Sequence, residues 1–234
     1  MCQDSTYEIV QVETLMMVLF RRRNMRLSYI IGVLATLITV TAAAQPPSGA
    51  VYGIVAAGSK IQVGVFREGL LKAFGHDHLI AAKRFSGTVH FNADKVEESS
   101  LALDMEASSL TVLDPGVAEK DRRDAQATMV SAKVLGVESF PRITFRSTGV
   151  QQIKKAGAEW EVTVAGKLNL HGVEKPISFP VRIRLDNTRL TLNGEVFIAQ
   201  TGFGIKPVKV AGGTVRVKDR VKVSFTIVAE RNNS

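Results

Sequence analysis

Of the four histidines in the chain, two bracket an acid in Gly75-His76-Asp77-His78. Imidazoles and a carboxylate at this density could ligate a metal, move a proton or donate hydrogen bonds to an oxygen-bearing head group. Neighbouring side chains on an extended segment face opposite ways, so only His76 and His78 could share a metal. His90 or His171 would have to complete such a site, and nothing in the spacing brings them there. We therefore expect no metal, and a hydrogen-bonding role for His76 and His78 towards a quinone carbonyl or a phosphate at a pocket entrance. Arg122 and Arg123 are further head-group candidates, because a guanidinium offers oxyanions a fixed fork of donors. The competing expectation is that Asp121 and Asp124 neutralise both arginines on a helix surface. His171 precedes Gly172 in a hairpin turn, whose geometry explains both residues. The sequence holds no nucleophile elbow, no HExxH, no phosphate-cradling glycine loop and no cysteine besides Cys2, so no catalytic residue is assigned and no enzyme is expected.

These side chains must be positioned by strands. From Trp160 the even positions Trp160, Val162, Val164, Gly166, Leu168 and Leu170 alternate with Glu161, Thr163, Ala165, Lys167 and Asn169. A period of two marks a strand with one apolar and one polar face. Ile177, Phe179, Val181, Ile183 and Leu185 repeat it, followed by Leu190, Leu192, Val196 and Ile198, and then by Val221, Val223, Phe225 and Ile227. Upstream, Ile61/Val63/Val65, Phe85/Val89/Phe91, Leu101/Leu103/Met105 and Ile143/Phe145 do the same, and a looser segment runs from Leu70 to Ile80. About nine one-sided strands imply a sandwich or a closed barrel, and the hairpin signals at Lys154–Ala158, His171–Lys175 and Asp186–Thr188 favour an up-and-down barrel. Asp114-Pro-Gly116 ends a strand. The charged run Ala118–Met129 places Ala125 and Met129 one turn apart, which predicts a helix over the barrel mouth.

Met25-Arg26-Leu27, the apolar run Ser28–Val40 and Thr41-Ala-Ala-Ala44 have the tripartite build of a secretory signal, with cleavage expected between Ala44 and Gln45. The run is shorter than the roughly 20 apolar residues that span a bilayer. Residues 1–24 read as an upstream extension outside the native product, with a start at Met16, Met17 or Met25. Gln45–Ala50 is a flexible lead-in, and 51–232 a single β domain. The product is expected in the periplasm or outside the cell, with no disulfide. The formal net charge of +8 reads first as a solvated exterior and second as suited to contact with anionic lipid or a membrane surface, while export and scattered basic residues argue against nucleic acid.

Gly75-His-Asp-His78, Phe85-Ser-Gly87, Asp121-Arg122, Phe140-Pro141 with Ile143-Thr-Phe145, His171-Gly-Val173 with Lys175-Pro176, and Ala211-Gly-Gly-Thr214 follow one another in an order that resembles the YceI-like family of secreted bacterial proteins. The resemblance implies an extended antiparallel, lipocalin-like barrel whose tunnel takes a polyisoprenoid chain, with a bound quinone or polyprenyl (pyro)phosphate in place of any other cofactor. The tunnel wall would then include Phe74, Ile80, Phe85, Val89, Phe91, Leu103, Met105, Phe145, Trp160, Val162, Leu168, Phe179, Val181 and Phe225, with His76, His78, Arg122 and Arg123 towards the head group. Two other readings stay open: a filled barrel serving as a stress-protective or interaction partner, and a metal-dependent or redox protein using His76 and His78. Dimerisation also stays open.

Overall fold

The computed structural model describes residues 49–68, 77–210 and 215–232 of the 234-residue chain. The expected signal segment 25–44, its cleavage point and the extension 1–24 lie outside the described residues. In chain order the strands are β1 (Ala50–Ile54), β2 (Lys60–Val65), β3 (Arg67–Glu68), β4 (His78–Ala82), β5 (Phe85–Phe91), β6 (Ser100–Glu106) and β7 (Leu110–Val112). Helix α1 (Glu119–Val130) follows, and then β8 (Arg142–Ala156), β9 (Glu159–Leu170), β10 (Val173–Asp186), β11 (Arg189–Ala199), β12 (Lys209–Val210), β13 (Val215–Val217) and β14 (Arg220–Arg231).

One-sided strands bury their apolar faces by closing the sheet on itself, which also removes its edges. The order β1-β5-β6-β8-β9-β10-β11-β14 returns to β1, and every pairing is antiparallel. The tight hairpins follow from local chemistry. His171 (φ 53°) and Gly172 (φ 73°) form the two-residue loop between β9 and β10, and both left-handed residues suit the twist of the flanking strands. Asn187 (φ 52°) does the same between β10 and β11.

Around the barrel, consecutive strands are neighbours at β5–β6 and from β8 to β11, and the other pairings join strands that are not consecutive in the chain. Strand β14 is long enough for its second edge to be shared: Ile54 lies opposite Ala229, while Lys60 to Gly64 of β2 face Thr226 to Lys222. Ser59 bridges the break, because its hydroxyl donates to Val55 O at 2.7 Å and accepts from Val228 N–H at 2.9 Å. Strands β4 and β7 then extend the wall beyond β2. The looser strand expected from Leu70 thus begins, within the described residues, at His78.

The exposed edge of β7 is met by α1. Gln126 Oε1 accepts from Val112 N–H at 2.8 Å and its Nε2 donates to Leu110 O at 2.9 Å, so one side-chain amide takes the part of a neighbouring strand. The helix holds its own surface with Lys120–Asp124 and Arg123–Glu119 pairs, each 2.7 Å and one turn apart. On the outer barrel face Asp104 accepts from Arg146 at 2.7 Å and from Arg142 at 3.3 Å. Partial burial alone would push this carboxyl up, but the two guanidiniums outweigh it and hold the group below its ordinary value.

Candidate functional site

Inward-facing residues do not fill the barrel evenly. At the end carrying α1 they enclose a cavity of about 540 Å³, within the range of small-molecule sites. Its wall takes Val63 and Val65 from β2, Leu101, Leu103 and Met105 from β6, Leu168 from β9, Ile177 from β10, Val196 and Ile198 from β11, and Val221 and Val223 from β14. Ala125 and Met129 of α1, with Val134 and Leu135 after it, complete the wall. A wall of this kind offers water few partners and favours an apolar occupant.

Three rings close the cavity from below. Phe179 meets Phe145 at a centroid distance of 5.4 Å and Phe225 at 5.8 Å, and all three line the space. The rings of Phe145 and Phe225 sit over Gly166 and Gly194. A Cβ on Gly166 would strike the Phe145 ring, and one on Gly194 would lie 2.6 Å from Phe225 Cζ and 2.7 Å from Pro180 O. Both glycines are therefore hollows that seat the aromatic floor. Beyond it side chains of the core take over: Val162, Val181, Ile183 and Leu190 are buried and do not line the cavity, and Trp160 packs edge-on against Phe91 at 5.1 Å.

Polar groups gather at the opposite rim. His78 opens β4 and lines the cavity, and its Nδ1 lies 2.5 Å from Asp114 Oδ2. Asp114 is buried in the turn after β7 with φ 28°, and its Oδ1 accepts from Leu79 N–H at 2.6 Å. One carboxylate thus fixes both the strand start and the imidazole. Arg67 also lines the cavity; its Nε is 3.8 Å from Asp77 Oδ1, while Nη1 is buried with no hydrogen-bond partner among the described residues. Arg216 on β13 pairs with Glu68 at 2.6 Å, and Asp124 on α1 with Lys120.

The cavity brings together His78, Ile80, Leu103, Met105, Phe145, Leu168, Phe179 and Phe225 of the expected residues. Val89, Phe91, Trp160, Val162 and Val181 instead pack in the core beyond the floor, and Phe85 is half-buried against the core outside the cavity wall. His76 and Phe74 lie outside the described residues. Arg122 and Arg123 do not reach the wall, and Arg123 is neutralised by Glu119, not by the aspartates expected to do so. His90 belongs to the β1–β5 seam, and His171 contacts Phe140 and Phe203 O at its turn. Among the described residues no three His, Cys, Asp or Glu side chains converge on a point that could hold a metal.

Sequence reading missed Asp114 and Arg67. For Arg67 a signal existed: it continues the parity of Ile61, Val63 and Val65, placing a charge on an apolar face. Asp114 sat in an Asp-Pro-Gly turn that needed no other explanation.

The fold has known counterparts. BcnA of Burkholderia cenocepacia superposes with a TM-score of 0.59 at 20% identity, over 75% of this chain and 98% of that one. A polyisoprenoid binding domain from Saccharophagus degradans gives 0.54 at 15% identity, over 77% and 98%. In sequence, a UPF0312 protein of Pseudomonas putida strain GB-1 is 33% identical over 113 residues, 48% of each chain. Protein YceI of Salmonella arizonae is 33% identical over 101 residues, 43% of this chain and 46% of that one. The chain spans about half the length of the curated relatives it matches. The model of the YceI-like domain matches residues 52–229, from the strand that closes the barrel to the one it closes upon, and the chain belongs to the YceI-like family.

Proposed function

We propose that this protein is a non-enzymatic carrier for a long apolar lipid, an isoprenoid quinone or a polyprenyl (pyro)phosphate, that holds the tail inside the barrel and the head at the α1 end. The observation that carries the reading is the cavity: apolar side chains from ten strands and a helix surround it, and polar side chains are few. Burying a prenyl chain there gains about 25 cal/mol per Å² of apolar area before the costs of association. The cavity also favours the carrier over a barrel filled with its own side chains. The polyisoprenoid binding domain of the Saccharophagus structure supports the same ligand class. The basic start, apolar run and Ala-x-Ala ending of residues 25–44 support export to the periplasm or medium, and the positive net charge supports transient contact with anionic lipid.

The test is mass spectrometry of an organic extract from protein purified out of an exported, detergent-free preparation. A stoichiometric prenyl lipid is the expected result. An empty extract that stays empty after incubation with prenyl quinones and polyprenyl phosphates would overturn the proposal.

A further inference from the structure

Arg67 is the residue whose chemistry the cavity leaves unanswered. It follows the wall residues Val63 and Val65, and its backbone N–H is anchored on Asp77 Oδ1 at 3.0 Å. The side chain spreads between two environments. Nε faces the half-exposed Asp77 at 3.8 Å, too far for a hydrogen bond, whereas Nη1 is buried and makes none. A guanidinium cannot shed its proton to escape burial. The long ion pair to Asp77 and the partly exposed stem leave the charge itself accommodated, but a buried donor without an acceptor is costly, so the acceptor for Nη1 is expected to arrive with the occupant.

The surroundings decide the sign of that partner. Asp114 is engaged by His78 and Leu79 N–H, Asp124 by Lys120, and Glu68 by Arg216. Immediately outside, Arg216 and Val217 are shared with a vestibule that also contains Lys206, Lys209 and Asp219. Asp219 accepts from the Thr201 N–H and hydroxyl, and neither lysine has an ion pair among the described residues. The rim therefore keeps uncommitted positive charge while its carboxylates are occupied.

We propose that this rim is an acid-recognition site: the cavity takes an amphiphile whose head is a carboxylate or phosphate, with an anionic oxygen accepting from Arg67 Nη1, in preference to a neutral head on the same tail. The inference rests on the carrier reading and narrows it, since a quinone offers a carbonyl but no charge. Charge-assisted bonds to guanidinium are roughly twice as strong as neutral ones, which is the source of the discrimination.

The experiment is calorimetric titration of the protein, stripped of co-purified lipid and shown empty by mass spectrometry, with farnesyl phosphate, farnesol and inorganic phosphate at pH 8, repeated on Arg67→Met and Arg67→Lys. Farnesyl phosphate should bind at least tenfold tighter than farnesol, a margin of about 1.4 kcal/mol. Arg67→Met should erase that margin, and Arg67→Lys, with charge but no fork, should keep part of it. Removing the unsatisfied Nη1 donor along with a long, partly exposed ion pair should also leave the ligand-free Arg67→Met protein melting close to the parent temperature. Equal affinity for the two farnesyl probes, or a margin that survives Arg67→Met, would overturn the head-group proposal alone. Inorganic phosphate binding as tightly as farnesyl phosphate would overturn it by identifying a free anion as the ligand. If neither farnesyl probe binds, the carrier reading itself falls.

Discussion

A buried carboxylate is tolerated only where its oxygens are matched, and Asp114 meets that condition by bridging Leu79 N–H and the His78 ring. The pairing ties the turn after β7 to the first residues of β4, so one side chain sets where the rim of the cavity begins. Truncation to Ala would remove the acceptor of the Leu79 N–H and one partner of the His78 ring, and it would place a residue without a local hydrogen bond at φ 28°, a backbone region that Asp and Asn occupy more readily. Asp114→Ala should cost about 1 to 3 kcal/mol for the lost partner. Asp114→Asn, which keeps one acceptor and the turn conformation, should cost less. Urea midpoints of the two variants measure this directly. If both match the parent, the bridge is only a surface contact and His78 is held by something else.

At the scale of elements, the depth of the cavity is set where strands carry large and small residues opposite each other. Phe179 is the central ring of the floor, and shortening it should open the cavity towards Val162 and Val181, which lie behind. Phe179→Ala should destabilise by about 3 to 5 kcal/mol. It should also shift the lipids recovered in an organic extract to longer chains, as read by mass spectrometry. Chain lengths identical to those of the parent protein would show that the floor does not gauge the tail. The alternation at Trp160–Leu170 and Ile177–Leu185 told which residues point inward, because side-chain parity is a property of the strand alone. It could not tell which inward residues line space and which fill it. Trp160 and Leu168 share a face of β9, yet one packs in the core beyond the floor and the other lines the cavity. That difference depends on how far each strand is staggered against its neighbours, and on two glycines that seat rings from adjacent strands. The helix was legible from its charge pattern. Its contact with β7 through Gln126 was not, since a side-chain amide standing in for a strand leaves no periodic trace.

For the molecule as a whole, the barrel divides into a half that holds the fold together and a half that is free to receive a ligand. Tyr52, Phe91, Trp160, Leu190 and Ala229, all buried, form the core of the first half. The two halves share the same long strands, β9, β10, β11 and β14, so they unfold together although only one touches ligand. The single tryptophan, Trp160, makes this division measurable: it is 4% exposed, with Phe91 at its edge and Lys155 Nζ 5.0 Å from its ring centroid. A ligand bound in the cavity at a hundred times its dissociation constant should add about 2.7 kcal/mol to stability and raise the melting temperature accordingly. The native emission spectrum of Trp160 should meanwhile stay where it was, because the aromatic floor separates the indole from the tail. Fluorescence followed through a thermal melt, with and without farnesyl phosphate, tests both statements in one experiment. A spectral shift on ligand addition well below the transition would place the tail in the packed half, and the division of the barrel into a packed and a receptive end would have to be abandoned.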